Sequence, residues 1–213
     1  MHETKEVLIR RAQPVDAAIV ARLMYYASQN YMLAFFGKPE SRAISILCRM
    51  FSLPRHTTSY TYVFVAEYEG SVVGSFSCFD GRSWQAARHA SLKYGPIWFV
   101  AVPPWRIPQM VAAFGDFNKS LLPISDEEYY IEHIAVLPEK RSQRIGKQMI
   151  EFAETQARAK GLKMMTLDVE IENKRALRLY KCLGFQTVKE MTDPGYCKRF
   201  SFQGSMRMMK IVI

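Results

Sequence analysis

Strand-like runs interleaved with amphipathic helical stretches predict a mixed α/β (α+β) fold built on a central sheet. Three observations carry that expectation. Segments 60–68 and 71–79 are rich in Val, Phe and Tyr, 163–171 reads as a further strand, and 129–137 alternates apolar and polar residues as a half-buried strand does. Apolar residues recur at helical spacing over 14–30, 41–51 and 145–160. No internal repeat or low-complexity linker interrupts the 213 residues, so one domain over 1–213 is the economical reading.

The elements follow in order. Residues 7–11 form a first strand. Pro14 and Asp16 suit the first turn of a helix that runs to about 30 on Ala17, Ile19, Val20, Leu23 and Met24. A second helix covers 41–51. Strands 60–68 and 71–79 make a hairpin through Glu69-Gly70. Segment 80–127 is less regular and reads as a helical, aromatic elaboration, with helices near 83–92 and 107–121 around the Pro- and Trp-rich tract 94–105. Strand 129–137 and helix 145–160 follow, and Gly161 stops that helix. After strand 163–171, Asn173 caps a short helix carrying Ala176, Leu179, Tyr180 and Leu183, which ends at Gly184. Segments 185–189 and 206–213 add closing strands.

Composition narrows the function classes. With 49% apolar and 23% charged residues, the chain is ordinary globular protein. Its apolar runs are too short to span a membrane, and its charged start lacks a signal-like core. Cys48, Cys78, Cys182 and Cys197 show no metal-ligand spacing, and His2, His56, His89 and His133 are scattered. Reduced thiols, no metal and a cytoplasmic location are the expectation. A net charge of +9 is compatible with nucleic acid, an acidic membrane surface or an anionic small ligand; the cations are dispersed and form no nucleic-acid motif, and a phosphate-bearing ligand explains part of the excess.

The segment Arg141-Ser142-Gln143-Arg144-Ile145-Gly146-Lys147 joins strand 129–137 to helix 145–160. A strand that restarts as a helix through a short basic loop presents free backbone N–H groups, a helix dipole and side-chain cations together. These suit phosphate oxygens. Arg141, Arg144 and Lys147 recur at three-residue spacing, and Gly146 lets backbone approach a ligand. Taken alone, such a loop is more often simply a solvated helix start.

Its context is more specific. Ile134-Ala135-Val136-Leu137-Pro138-Glu139-Lys140-Arg141, followed by Arg144 and Gly146, resembles the pyrophosphate motif of the GNAT superfamily of acetyl-CoA-dependent N-acetyltransferases. A second block, Asn173 through Ala176, Tyr180, Gly184 and Phe185, is similar to that superfamily's Asn-x-x-Ala-x-x-x-Tyr-x-x-x-Gly-Phe signature. The resemblance covers about 129–189. It implies a GNAT-type, mostly antiparallel twisted sheet flanked by helices, with 80–127 inserted before the cofactor-binding strand. It also implies acetyl-CoA as cosubstrate, bound by residues 141–147 and by Asn173, with Ile134, Ala135 and Val136 along the pantetheine arm. The chain departs from the pattern at Arg144, where the family usually has glycine. The loop is restricted there if residue 144 takes positive φ.

The resemblance places the thioester beside strand 129–137. Strict alternation puts Tyr130, Glu132, Ile134 and Val136 on one face and Ile131, His133 and Ala135 on the other, so His133 points away from the site. Family members carry a general base on this strand, and Glu132 is the residue suited to neutral pH. A structural or substrate-positioning carboxylate is the equal alternative. Tyr180 matches the tyrosine that protonates the leaving thiolate in the family; its other reading is a core aromatic. Asn173 serves as cap, cofactor contact or both. A backbone N–H near Ile134 is the implied oxyanion donor, and attack is direct, in a ternary complex.

The acceptor stays open between a small-molecule amine and a peptide or protein amine, and the basic surface disfavours strongly basic peptides. Trp84, Tyr94, Trp98, Phe99 and Trp105 read equally as acceptor walls and as a packing extension or homodimer surface, with Glu132, Glu127 or Glu128 drawing the ammonium. A non-catalytic acetyl-CoA-sensing module is the alternative function, and a nucleic-acid-binding domain rests only on net charge.

Overall fold

The computed structural model describes residues 7–212. Its strands are β1 (Leu8–Arg11), β2 (Val63–Tyr68), β3 (Ser71–Asp80), β4 (Glu128–Val136), β5 (Met164–Glu170), β6 (Gln186–Met191) and β7 (Ser205–Ile211). They form one seven-stranded sheet in the order β1-β2-β3-β4-β5-β7-β6. Every neighbouring pair is antiparallel except β4 and β5.

Helices cover both faces, so the inner strands are buried on both sides. Val63 and Val65 of β2 enter one core with α1 (Ala17–Ala27), α2 (Gln29–Phe36) and α3 (Glu40–Phe51). Phe64 and Ala66 enter the opposite core with α7 (Ile145–Ala159) and α8 (Lys174–Cys182). The insertion supplies α4 (Gly81–Ser91), α5 (Gly95–Val100) and α6 (Ile107–Ser120). It is tied to α2 by ring packing: Phe114 stacks on Phe35 at 4.2 Å and Trp98 on Phe36 at 5.1 Å. Arg106 adds a guanidinium bond to the Leu33 carbonyl at 2.9 Å, a cation at the end of α2 where the dipole is negative.

Two expectations change. The single helix over 14–30 is divided: Ser28 leaves helical geometry (φ −140°, ψ 37°), and its hydroxyl donates to the Met24 carbonyl at 2.8 Å. A serine that satisfies the preceding turn in this way competes with the backbone ladder, and the chain turns into α2. Two helices lie outside the expected ones: α5, within the Pro-rich tract, and α9 (Pro194–Phe200). Asp193 caps it by accepting from the Tyr196 amide at 2.9 Å, with Pro194 at the first helical position.

Candidate active site

The parallel pairing of β4 with β5 runs only from Glu128↔Met164 to Ile131↔Leu167, whereas β4 stays paired with β3 as far as Val136. Beyond Ile131 the two strands part, leaving one edge of residues 132–136 without a ladder. The direction of that edge follows from the far end, where the Leu137 amide donates to the Val73 carbonyl on the β3 side at 2.8 Å. By alternation, the N–H groups of Val136 and Ile134 face the open edge and the backbone of Ala135 faces β3. An extended, amide-bearing molecule fits such an edge as an extra strand would.

The strict alternation expected along β4 fails at a β-bulge. Ser77↔His133 and Cys78↔Ile131 are successive pairs, so Glu132 is an extra residue on β4. Parity flips across it. Tyr130 packs with Phe79 and Trp84, whereas Ile134 and Val136 join Ile131 on the α7 face. Tyr130 therefore does not share a face with Ile134. Nor does His133 point away from Glu132: its Nε2 lies 3.8 Å from Glu132 Oε2, and both line one cavity.

That cavity, about 740 Å³, lies between the sheet, α2 and the insertion, and includes Glu132, Tyr180 and Asn173 in its wall. Glu132 Oε2 is buried without a hydrogen-bond partner. Burial raises the carboxyl to about 8, against the pull of the Arg88 charge and the Ser77 hydroxyl. Burial lowers His133 to about 4, so its imidazole is neutral. Burial alone raises the Tyr180 phenol well above its usual range, keeping its proton in place.

Asp168 faces the same cavity but is committed. Arg207 grips it at 2.6 and 2.9 Å, and the Tyr130 hydroxyl donates to it at 3.0 Å. Glu127 and Glu128, expected to draw an ammonium, do not line the cavity. Glu127 pairs with Lys163, and Glu128 accepts from Thr166 and the Ser125 amide.

The basic loop ends in α7, whose first turn leaves the amides of Ile145, Gly146 and Lys147 without helical partners. Arg144 takes φ 61° as the residue before that helix, and Ser142 takes φ 71°. The position that departs from glycine is thus one where the left-handed conformation is required. Gly146 is a different case: an added Cβ would meet Leu179 and Val136 at ordinary contact distances, 3.5 and 4.0 Å. It faces protein there, so the expected need for close backbone approach is not its reason. Arg141 Nε folds back on the Val136 carbonyl at 3.3 Å, Lys147 pairs with Glu151, and Gln143 is exposed. Arg175 of α8 reaches the Ser142 hydroxyl at 3.2 Å, adding a cation the loop motif does not contain. Asn173 caps α8 through the Ala176 amide at 3.1 Å.

Sequence reasoning sets His133 aside and misses Arg88, Asp168, Arg207 and Glu170. A bulge leaves no mark in a single sequence, and ion pairs between distant strands have no spacing signature. Among the described residues, no group of three or more His, Cys, Asp or Glu side chains is placed to hold a metal, and no helix is long and apolar enough to cross a membrane.

A mixed α/β sheet splayed beside a helix N-terminus forms this cleft, and comparison with known proteins shows what it is similar to. Residues 109–185 match the model of the acetyltransferase (GNAT) family. The matched segment runs from α6 to just past the end of α8 and covers just over a third of the 213 residues. The chain is 37% identical over 90 residues to a thialysine N-epsilon-acetyltransferase of Bos taurus, an alignment covering 42% of this chain and 52% of that protein. The chain thus spans about half the length of that curated relative. Among solved structures, an N-acetyltransferase from Staphylococcus aureus Mu50 superposes with a TM-score of 0.66 at 24% identity, over 96% of this chain and 100% of the other. The PaiA N-acetyltransferase from Thermoplasma acidophilum, in complex with coenzyme A, superposes with a TM-score of 0.52 at 13% identity, over 97% and 99%.

Proposed function

We propose that this protein is an acetyl-CoA-dependent N-acetyltransferase that acetylates a primary amine by direct attack in a ternary complex. The observation that carries the reading is the unpartnered, buried Glu132 Oε2 beside the open edge of β4, in a cavity it shares with Tyr180. The relative named for N-epsilon acetylation supports transfer to an amine.

The residues suit the cosubstrate. The outward backbone groups of Ile134 and Val136 match the amides of a pantetheine arm, with Ala135 between them and Asn173 across the cleft. The free amides of 145–147 and the cations Arg141, Arg144 and Lys147 suit a pyrophosphate, with Ser142 and Gln143 in the same loop. Acetyl-CoA, when bound, supplies the acetyl group as an activated thioester. The protein's own groups manage the protons. Glu132 takes the ammonium proton at Oε2, and a carboxyl near 8 is better matched to an amine than an ordinary carboxylate. Tyr180 holds a proton at its hydroxyl for the departing sulfur. The Ile134 N–H at the open edge is the available donor for developing negative charge on the carbonyl oxygen. In this reading the whole chain is one domain, with 80–127 as its acceptor-side wall, working in the cytoplasm.

A thermal-shift titration with acetyl-CoA, followed by thiol-release assays on an amine library, tests the proposal. Stabilisation with thiol release is expected. No shift at roughly millimolar acetyl-CoA refutes it. A shift without release for any amine leaves the sensing module instead.

A further inference from the structure

The way the cavity distributes charge and apolar surface specifies the acceptor more closely, on the acetyltransferase reading above. Three carboxylates line it: Glu132, Asp168 and Glu170. Asp168 is held by Arg207 through two bonds and also accepts from Tyr130. Both oxygens of Glu170 accept from the Asn30 side-chain amide at 3.3 Å, at the end of β5 near Asn173. Glu132 alone of the three keeps a buried oxygen with no partner. One amine therefore finds one buried carboxyl oxygen left open, that of Glu132.

The opposite wall, formed by the insertion, offers no second. Trp84, Trp98, Phe114 and Phe117 line it, and it runs outward to Leu92, Phe99 and Val111, which are 74, 44 and 50% exposed. Large apolar side chains exposed at a cavity mouth cost hydration unless something apolar covers them. The one charge of α4 in this wall is Arg88, held across to α6 by a 2.9 Å bond to the Asn118 side-chain Oδ1 and close enough to Glu132 to oppose its protonation. A second ammonium on this side would meet a like charge and ring faces. Ring faces return only about 0.5–2 kcal/mol against the desolvation of an unpaired cation.

We propose that the acceptor is an apolar monoamine, its single primary amine at Glu132 and its aryl or alkyl body along the insertion wall to the rim at Leu92, Phe99 and Val111. A second ammonium carried along this wall would find no carboxylate there, which disfavours polyamines and other dications.

Isothermal titration calorimetry on the full chain, with and without coenzyme A, measures phenethylamine, octylamine and putrescine. Both monoamines are expected to bind at least about tenfold tighter than putrescine, a gap of about 1.4 kcal/mol. Tighter binding of octylamine or of phenethylamine decides between an alkyl and an aryl body. Two variants at exposed positions sharpen the test. Phe99→Ala should weaken both monoamines several-fold and leave putrescine unchanged, and Arg88→Glu should tighten putrescine at least fivefold. Equal or tighter putrescine binding by the unaltered protein overturns the proposal, as does failure of both monoamines to bind in either condition. Amine binding with no coenzyme A binding would fail the acetyltransferase reading while leaving the pocket assignment intact.

Discussion

Replacing Glu132 with glutamine tests the energetic consequence of burying its carboxyl. The side chain is 15% exposed, and burial holds its proton until about pH 8, whereas the unfolded residue releases it near 4.5. Between these values the folded state carries one more proton than the unfolded state, so this group's contribution is full below 4.5 and is lost as pH rises through 8. The slope is about 1.4 kcal/mol per pH unit, or about 2–3 kcal/mol between about pH 5.5 and 7.5. Glutamine preserves the shape and has no proton to lose. Denaturant melts of both proteins at those two pH values should show the wild type losing about 2–3 kcal/mol relative to the variant as pH rises. His133, neutral down to about 4, imposes an opposite trend on both proteins, and that trend cancels in the difference. A difference that stays flat across the interval refutes the buried-acid account of this site. In turnover, kcat/KM of the wild type should climb with pH toward about 8, and the variant should lose roughly 10²–10⁴-fold together with that rise.

The remaining expectations concern other parts of the site. Tyr180→Phe should lower kcat about ten- to hundredfold with coenzyme A affinity unchanged, checked by thiol-release kinetics beside calorimetry. Arg207→Met leaves Asp168 facing the cavity without its cation and should cost about 3 kcal/mol, read as a drop in denaturation midpoint. Arg144→Gly relieves a left-handed non-glycine residue and should raise stability by about 0.5–1 kcal/mol. The same variant should flatten the salt dependence of coenzyme A affinity, which titrations at two ionic strengths would show.

Much of the architecture was legible because it rests on local signals. Asn173 and Gly184 bound α8 as capping rules require, and the hairpin at Glu69-Gly70 falls where its turn residues lie. The helix through Ser28 was misjudged because its apolar pattern continues into α2 while one hydroxyl ends the ladder. The loop and Tyr180 were visible as motifs, and Glu132 as a carboxylate on the right strand. Its surroundings were not, because Arg88, His133 and Asp168 reach the cavity from α4, across a bulge and from β5. Pairing between residues so far apart, or so irregularly spaced, is decided by tertiary packing rather than by periodicity.

The bulge and the strand splay act on the same few residues of β4. Without the extra residue, strict alternation would carry residues 134 and 136 onto the face of Tyr130 and take them out of the α7 core. With it, Ile134 and Val136 stay anchored there, and Glu132 and His133 both line the cavity. The departure from β5 begins after Ile131, at the same place, so the edge that loses its partner starts where the carboxylate is introduced. One local irregularity thus sets an open backbone edge and an unsatisfied acid side by side. On the proposed function, this juxtaposition, more than any single residue type, is what would bring an amide-bearing arm and an amine together.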